Sequence, residues 1–214
     1  MGPLLFLIYI NELSQSTSNL ANTVLFADDT SIIISNSNQD EFKTNINSVM
    51  NEITNWFQSN LLTLNCNKTH FLQFLTKNKK EVPIQLMSSN SLVTNLNSTK
   101  FVGLTIDSTL SWKCHVVELT TKLNKICFAI RTVKPFMSFN VLRTVYFSYF
   151  HTLLSYGIIF WGNLRLSIKV FKIQKRIIRI ITNKGKRNSS RQLFKTLQIL
   201  SVPSQYLYIH CLYL

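Results

Sequence analysis

Two adjacent carboxylates stand between two apolar runs at residues 24–34, VLFADDTSIII. The β-branched and aromatic residues on both sides of Asp28 and Asp29 predict two strands joined by a short turn. Adjacent like charges repel and cannot both be buried cheaply, so the pair needs a cation, solvent or a strong local interaction. One interpretation is a polar hairpin turn, where Asp is common, and the other is a metal-binding turn.

Charge is divided unevenly along the 214-residue chain, whose net charge is +14. Residues 1–118 contain seven basic and nine acidic side chains, whereas residues 119–214 contain sixteen basic and no acidic ones. This asymmetry favours a polyanionic partner for the second half, nucleic acid first and an anionic membrane second. A merely solvated basic surface is the third interpretation.

Several other classes of protein do not fit the sequence. The four cysteines have no C-x-x-C spacing, so neither a zinc module nor a disulfide framework is indicated, and a reducing compartment is expected. The apolar start has no basic region or cleavage site typical of a signal peptide. Residues 145–161 are apolar but interrupted by His151 and Gly157, which favours a buried helix over a membrane span. We therefore expect an intracellular protein, in the nucleus or cytoplasm, without a membrane partner.

The first half of the chain is predicted to mix helices with strands. Residues 3–13 are typical of the end of a buried helix, and residues 23–35 of a hairpin with the acids at its turn. A capping box at residues 38–41 precedes apolar residues at spacings of three and four, which predicts a helix with one buried face. Residues 61–74 predict two strand segments around a turn, and residues 100–107 a further strand.

From Val116 the apolar period is helical. We expect one helix that closes at Pro135, a second from Asn140 to Gly157, and a third over residues 169–181. The third has its isoleucines on one face and its cations on another, a pattern typical of helices that bind nucleic acid or anionic lipid. Its candidates for contact with nucleic acid are Lys169, Lys172, Lys175, Arg176 and Arg179.

Five short motifs follow one another in the first 115 residues. They are GPLLFLIYINEL at 2–13, FADDT at 26–30, LNCNKT at 64–69, FVGL at 101–104 and LSWK at 110–113. In this order and at this spacing they resemble the reverse transcriptases of non-LTR retrotransposons, the LINE-type elements of the jockey-like kind. Those enzymes are RNA-directed DNA polymerases.

The resemblance implies an α+β fold. Residues 1–115 would form part of a polymerase palm, an antiparallel sheet with helices, and residues 116–214 an all-helical, thumb-like domain. Asp28 and Asp29 would lie on the turn of the palm hairpin and hold Mg²⁺, with Asp28 as the principal ligand. Two metal ions about 3.5–4 Å apart would then activate the primer 3′-hydroxyl and stabilise the leaving pyrophosphate.

The resemblance also assigns roles outside the hairpin. Lys68 would lie near the leaving phosphates, although a solvated turn lysine is the alternative. Phe101, Val102, Gly103 and Leu104 would form the primer grip, a hairpin that positions the primer end, with Gly103 allowing close backbone approach, although an ordinary core strand fits the same residues. The basic helices would hold the RNA template, the DNA primer and their hybrid through phosphates.

The chain departs from the family pattern at its start. The family palm has another metal-binding Asp upstream of the motif at residues 2–13, and the fingers also precede that motif. From this sequence we expect a truncated copy, opened at an internal Met, with little or no polymerase activity unless the N-terminal part of the polymerase is supplied. The alternative function is a non-enzymatic, basic nucleic-acid-binding relic of a mobile element.

Overall fold

The chain forms two compact units, residues 1–102 and 103–214. The first mixes helices with short sheets, and the second is mainly helical. A mixed helix-and-strand composition is therefore confirmed, while the assignment of palm and thumb stays a prediction. The computed structural model describes residues 2–17, 20–27, 29–65, 67–76, 82–88, 91–185 and 187–213.

The first unit has two long helices in its described residues. They alternate with short strands that pair as a β1–β2 hairpin and as a three-stranded sheet of order β3-β5-β4. In that sheet β3 is parallel to β5, and β4 is antiparallel to β5. The elements are α1 (Gly2–Ser16), β1 (Asn22–Phe26), β2 (Asp29–Ile33), α2 (Gln39–Ser59), β3 (His70–Phe71), β4 (Leu86–Ser88), β5 (Ser91–Asn95) and β6 (Ser98–Phe101).

Helix α2 begins at the predicted cap. Asn38 Oδ1 accepts a hydrogen bond from the Asp40 N–H at 3.0 Å, which satisfies one of the unpaired donors of the first turn. The Asn38 N–H donates to Asn36 Oδ1 at 2.9 Å, and the Glu41 carboxylate accepts from the side-chain amides of Asn36 and Asn38. The cap is confirmed, but the Asn38 N–H donates to Asn36 and not to Glu41, which accepts this hydrogen bond in a capping box.

One face of α2 forms the core of the first unit. Val49 and Ile53 are buried against Ala21 and pack with Ile32 of the hairpin. One turn earlier, Ile46 is buried with residues of the β4–β5 pair. The predicted buried face is confirmed, and it fixes α2 against both the hairpin and the second sheet.

Two predictions for this unit are wrong. Helix α1 forms, but it is not buried: Leu4 and Ile8 are 66% and 64% exposed, because only Ile10 and Leu13 turn inward. The first strand predicted within residues 61–74 is absent from the described residues, where only β3 is extended. Leu61 has φ +55°, which departs from extended backbone at the start of this segment. The turn predicted between the two segments does form, because the Lys68 and Thr69 N–H groups donate to the Asn65 carbonyl.

The second unit contains one strand followed by helices in its described residues. Its long helices are separated by short helical turns, one of which is a π-helix. The elements are β7 (Leu104–Asp107), α3 (Lys113–Val133), a 3₁₀ turn (Lys134–Phe136), α4 (Phe139–Val145), the π-helix (Tyr146–His151), α5 (Thr152–Ser155), α6 (Ile158–Trp161), α7 (Ser167–Thr182), α8 (Ser190–Leu197) and α9 (Val202–Leu212).

Helices α3 and α7 pack side by side in the same direction. Arg176 Nη1 donates to Asn124 Oδ1 at 3.0 Å, and Lys134 Nζ reaches Asn183 Oδ1 at 2.7 Å near the other end of the pair. Along their shared length the two helices contribute their apolar stripes to one core. Its buried residues on α3 and α7 are Val116, Leu119, Leu123, Cys127, Ile130, Val170, Ile173, Ile177, Ile178 and Ile181.

A buried amide joins three segments of the second unit. Gln174 is fully buried on α7, and its Nε2 donates to Tyr146 Oη at 3.1 Å and to the Leu200 carbonyl at 2.9 Å. Its Oε1 accepts from the Val202 N–H at 2.9 Å. A buried polar group is tolerated when its hydrogen bonds are made, so Gln174 fixes α7 against the π-helix and the start of α9.

The predicted helix over residues 140–157 is confirmed with one irregularity. The chain runs from α4 through the π-helix into α5, and Tyr146, Phe150 and Leu154 are buried. No helix in the described residues has both the length and the apolar composition needed to cross a bilayer. The segment ends where Gly157 adopts φ +62°, a conformation that suits glycine.

We expect Gly157→Ala to lower the free energy of unfolding by about 1–3 kcal/mol, through left-handed strain and local overpacking. An added Cβ would lie 2.6 Å from Leu104 Cδ2. Urea denaturation measures the change. Gly185→Ala is the matched control, because an added Cβ there meets nothing within 4 Å. Equal stability of the two variants would contradict this packing.

Candidate active-site hairpin and nucleic-acid interface

A two-residue loop joins strands β1 and β2. The strands are antiparallel, and their last pair is Phe26 with Asp29. Ala27 has φ +52°, which matches the positive φ that tight hairpin loops require at their first position. The predicted hairpin is therefore confirmed, and Asp29 is the first residue of β2. Asp28 lies outside the described residues.

The two faces of the hairpin differ in exposure. Residues directly opposite each other share a face, so Asp29 lies with Phe26, and Ile33 follows on the same side. Phe26 and Ile33 are 58% and 49% exposed, and Asp29 is exposed as well. The other face supplies Ile32 to the α2 core. The Asp29 carboxylate is thus available to a ligand.

The hairpin fits an open site for a divalent ion better than a closed one. In the described part of the chain, no three His, Cys, Asp or Glu side chains are grouped so that they could hold a metal ion. Mg²⁺, however, is commonly bound through one or two carboxylates together with water and substrate phosphates. The sequence places two carboxylates, Asp28 and Asp29, at this hairpin, which is the number such a site uses.

Lys68 lies in the exposed turn that precedes β3. The Asn65 carbonyl accepts the Lys68 N–H and the Thr69 N–H at 3.0 Å each, and also the Thr69 hydroxyl at 2.9 Å. These hydrogen bonds fix the backbone of the turn and leave the lysine side chain exposed. Its contact with phosphates stays a prediction.

The FVGL motif forms a tight turn, so the single strand predicted over residues 100–107 is wrong. Val102 and Gly103 have φ values of +45° and +78°, which interrupt the extended chain between β6 and β7. A Cβ on Gly103 would lie 3.3 Å from the ring of Tyr156, and Leu104 is buried next to Gly157. Gly103 and Leu104 therefore pack, within the second unit, against the end of the helical segment at residues 156–157. Its role as a primer grip stays a prediction.

A buried carboxylate shapes the loop after β7, which sequence analysis did not single out. Asp107 Oδ1 accepts from the Thr109 N–H at 3.2 Å, the Thr109 hydroxyl at 2.7 Å and the Ser111 N–H at 2.9 Å. Burial alone would raise the pKa of Asp107, but these hydrogen bonds outweigh it, so the pKa is below its usual value. They hold a loop in which Leu110 and Trp112 have positive φ. The signal was local: Asp followed two residues later by Thr is typical of such turns.

His115 is a second buried titratable group beside β7. Its Nδ1 accepts from the Thr105 N–H at 3.4 Å, and Thr105 Oγ1 donates to Glu118 Oε2 at 3.0 Å. Burial lowers the pKa of His115, and burial also lowers the pKa of His151 on the π-helix. His115 is buried and His151 is half-buried, and in both rings the lowered pKa favours the neutral form.

The predicted basic residues lie on the solvent side of α7. Lys169, Lys172 and Arg176 are exposed. Lys175 and Arg179 are half-buried: Lys175 Nζ lies 4.1 Å from the centroid of the Phe171 ring, and Arg179 Nη2 donates to the Asn188 carbonyl at 3.4 Å. The structure places these five cations on one helix face opposite the buried isoleucines, and their contact with nucleic acid stays a prediction.

Comparison with known proteins gives one match. Residues 1–106 match the family model of reverse transcriptase (RNA-dependent DNA polymerase). This supports reverse transcriptase family membership. Reverse transcriptases in general bind a nucleic-acid template and primer and use divalent metal ions. The match includes the hairpin, Lys68 and the FVGL turn, and it ends before α3. No curated protein and no solved structure matches the chain.

We expect the free energy of unfolding to fall as the pH drops from 7.5 to 5.5, through the ordinary pKa of histidine near 6.5. The unfolded chain then binds protons more readily than the folded chain does at His115 and His151, because both have lowered pKa values in the fold, so acid favours unfolding. Urea denaturation at a series of pH values measures the slope. The variant His115→Gln/His151→Gln should show a flatter slope than His70→Gln, which changes an exposed histidine. Equal slopes would refute this cause.

Proposed function

We propose that this chain is part of an RNA-directed DNA polymerase of the non-LTR retrotransposon kind. The observation that carries the proposal is the β1–β2 hairpin, which lies inside the family match and has two adjacent carboxylates at its loop. Asp29, at the start of β2, lies at the loop end of the hairpin. The exposed Asp29 agrees with this arrangement.

In the proposed enzyme the hairpin is the metal-binding element. Asp28 and Asp29 would hold the divalent ion, for which we propose Mg²⁺ because its ligands would be carboxylate, water and phosphate oxygens. Bound there, the ion would supply activation of the primer hydroxyl and stabilisation of the leaving pyrophosphate. Lys68, on a turn held by hydrogen bonds to the Asn65 carbonyl, would contact the nucleotide phosphates through its positive charge.

The FVGL turn is proposed to contact the primer backbone. Val102 and Gly103 are exposed at the end of the turn, and Gly103 has no side chain to keep a nucleic-acid backbone at a distance. Leu104, which follows Gly103, is buried next to Gly157 within the second unit, and this packing fixes the position of Gly103. An exposed glycine next to a buried residue is suited to holding the primer backbone in a defined position.

The second unit is proposed to hold the template and primer through their phosphates. Its α7 face presents exposed Lys169, Lys172 and Arg176 in a region, residues 119–214, that has sixteen basic and no acidic residues. Such side chains bind phosphates without reading bases, so the affinity is expected to depend on salt and not on sequence.

We expect the full chain to bind an RNA–DNA hybrid through about five phosphates. The plot of log K against log salt concentration should then have a slope of about −4. Lys172→Glu should flatten this slope by about one, because one phosphate contact is lost on α7. Fluorescence anisotropy at several salt concentrations measures the slope.

Lys43→Glu is the matched control, since it makes the same change of charge at an exposed lysine of α2. If both variants flatten the slope equally, binding follows total charge and the α7 assignment is wrong. Binding to anionic vesicles without binding to the hybrid would contradict the proposed function itself.

A further inference from the structure

A strip of polar and aromatic side chains lies along the outer junction of α3 and α7. Asn124 of α3 accepts the hydrogen bond from Arg176 of α7, which places it at the contact between the two helices. Phe128 follows four residues later and Arg131 three residues after that, so the three share one face of α3. We name Asn124, Phe128, Arg131 and Arg176 the α3–α7 strip.

Phe128 is unusual for a phenylalanine on a well-packed helix. Its side chain is 70% exposed, whereas its neighbour Cys127 is 3% exposed and the core stripe of α3 is buried throughout. Helix α3 therefore has an apolar core stripe that does not include this ring. The large apolar surface of Phe128 stands in solvent beside the junction of the two helices.

Two guanidinium groups flank this part of the strip. Arg131 and Arg176 both lie close enough to the Cys127 thiol to lower its pKa, although burial dominates and raises that pKa to about 11. Arg176 is tied to Asn124, one turn before Phe128, and Arg131 lies about one turn after it. The ring thus has a cation on each side along the helix, in a region without acidic residues.

We propose that the α3–α7 strip binds single-stranded nucleic acid, with one unpaired base stacked on Phe128 and the adjoining phosphates on Arg131 and Arg176. Aromatic rings between cations are typical of single-strand binding, because every base has a face that stacks and every linkage has a charge. A base inside a duplex already has both faces covered, so the ring favours an unpaired strand. The inference rests on the proposed function and adds to it the form of nucleic acid that this surface takes.

The test compares a single-stranded oligouridylate with a blunt RNA–DNA hybrid, both bound to the full chain and followed by fluorescence anisotropy. Phe128→Ala should weaken oligouridylate binding by about tenfold, the loss typical of one stacked base, and leave hybrid binding unchanged. Phe128→Trp should retain the affinity. Tyr149→Ala is the matched control, since Tyr149 is 63% exposed on the π-helix, outside the strip.

A second measurement separates stacking from charge. Phe128→Ala should leave the salt slope for oligouridylate unchanged, whereas Arg131→Gln should reduce it by about 0.7, the value for one phosphate of a single strand. Phe128 and Arg131 are both exposed, so neither change removes a core side chain.

Three outcomes would overturn the inference. They are unchanged oligouridylate binding in Phe128→Ala, an equal loss of affinity for oligouridylate and for hybrid, and a Phe128-dependent binding to phosphatidylserine vesicles in place of oligouridylate. If the unaltered chain binds the hybrid and Phe128→Ala binds oligouridylate normally, only this inference fails. If the unaltered chain binds neither nucleic acid, the proposed function fails with it.

Discussion

The burial of α7 against α3 is the interaction on which the second unit depends. Ile173, Ile177 and Ile178 enter the shared core, and Gln174 between them makes its hydrogen bonds inside it. Because one face of a helix is fixed by this burial, the opposite face must be presented to solvent. The basic residues of α7 are thus placed by apolar packing, and electrostatics then decides what binds there. A polyanion is the partner that this surface can attract.

The hairpin of the first unit has a different constraint, because it must accommodate the repulsion between two neighbouring carboxylates. Asp29 is exposed at the start of β2, while Ile32 on the other face packs against the α2 core. The same arrangement leaves the Asp29 carboxylate open to a cation. Stability and the proposed chemistry therefore come from opposite faces of one small element.

Local patterns in the sequence were enough to predict α2, α3, α7 and the β1–β2 hairpin, since cap residues and apolar periodicity determine such elements. Structure that depends on distant contacts was not predictable. The turn at Val102 contradicts the extended preference of a β-branched residue, and the packing of Leu104 on Gly157 joins positions far apart in the chain. Motif order suggested the family of the first half, whereas the exposed Phe128 became noticeable only when its neighbours across the α3–α7 junction were known.

We propose that the hairpin carboxylates hold a divalent ion next to bound nucleic acid. Fe²⁺ can replace Mg²⁺ at such a site and, with ascorbate and peroxide, cleaves the nucleic acid near the ion through hydroxyl radicals. For the full chain bound to an end-labelled primer–template, we expect cleavage concentrated near the primer 3′ end. We also expect Asp28→Asn/Asp29→Asn to abolish this cleavage without weakening binding of the primer–template. An identical cleavage pattern in the double variant, or cleavage spread evenly along the duplex, would show that these carboxylates do not hold the ion.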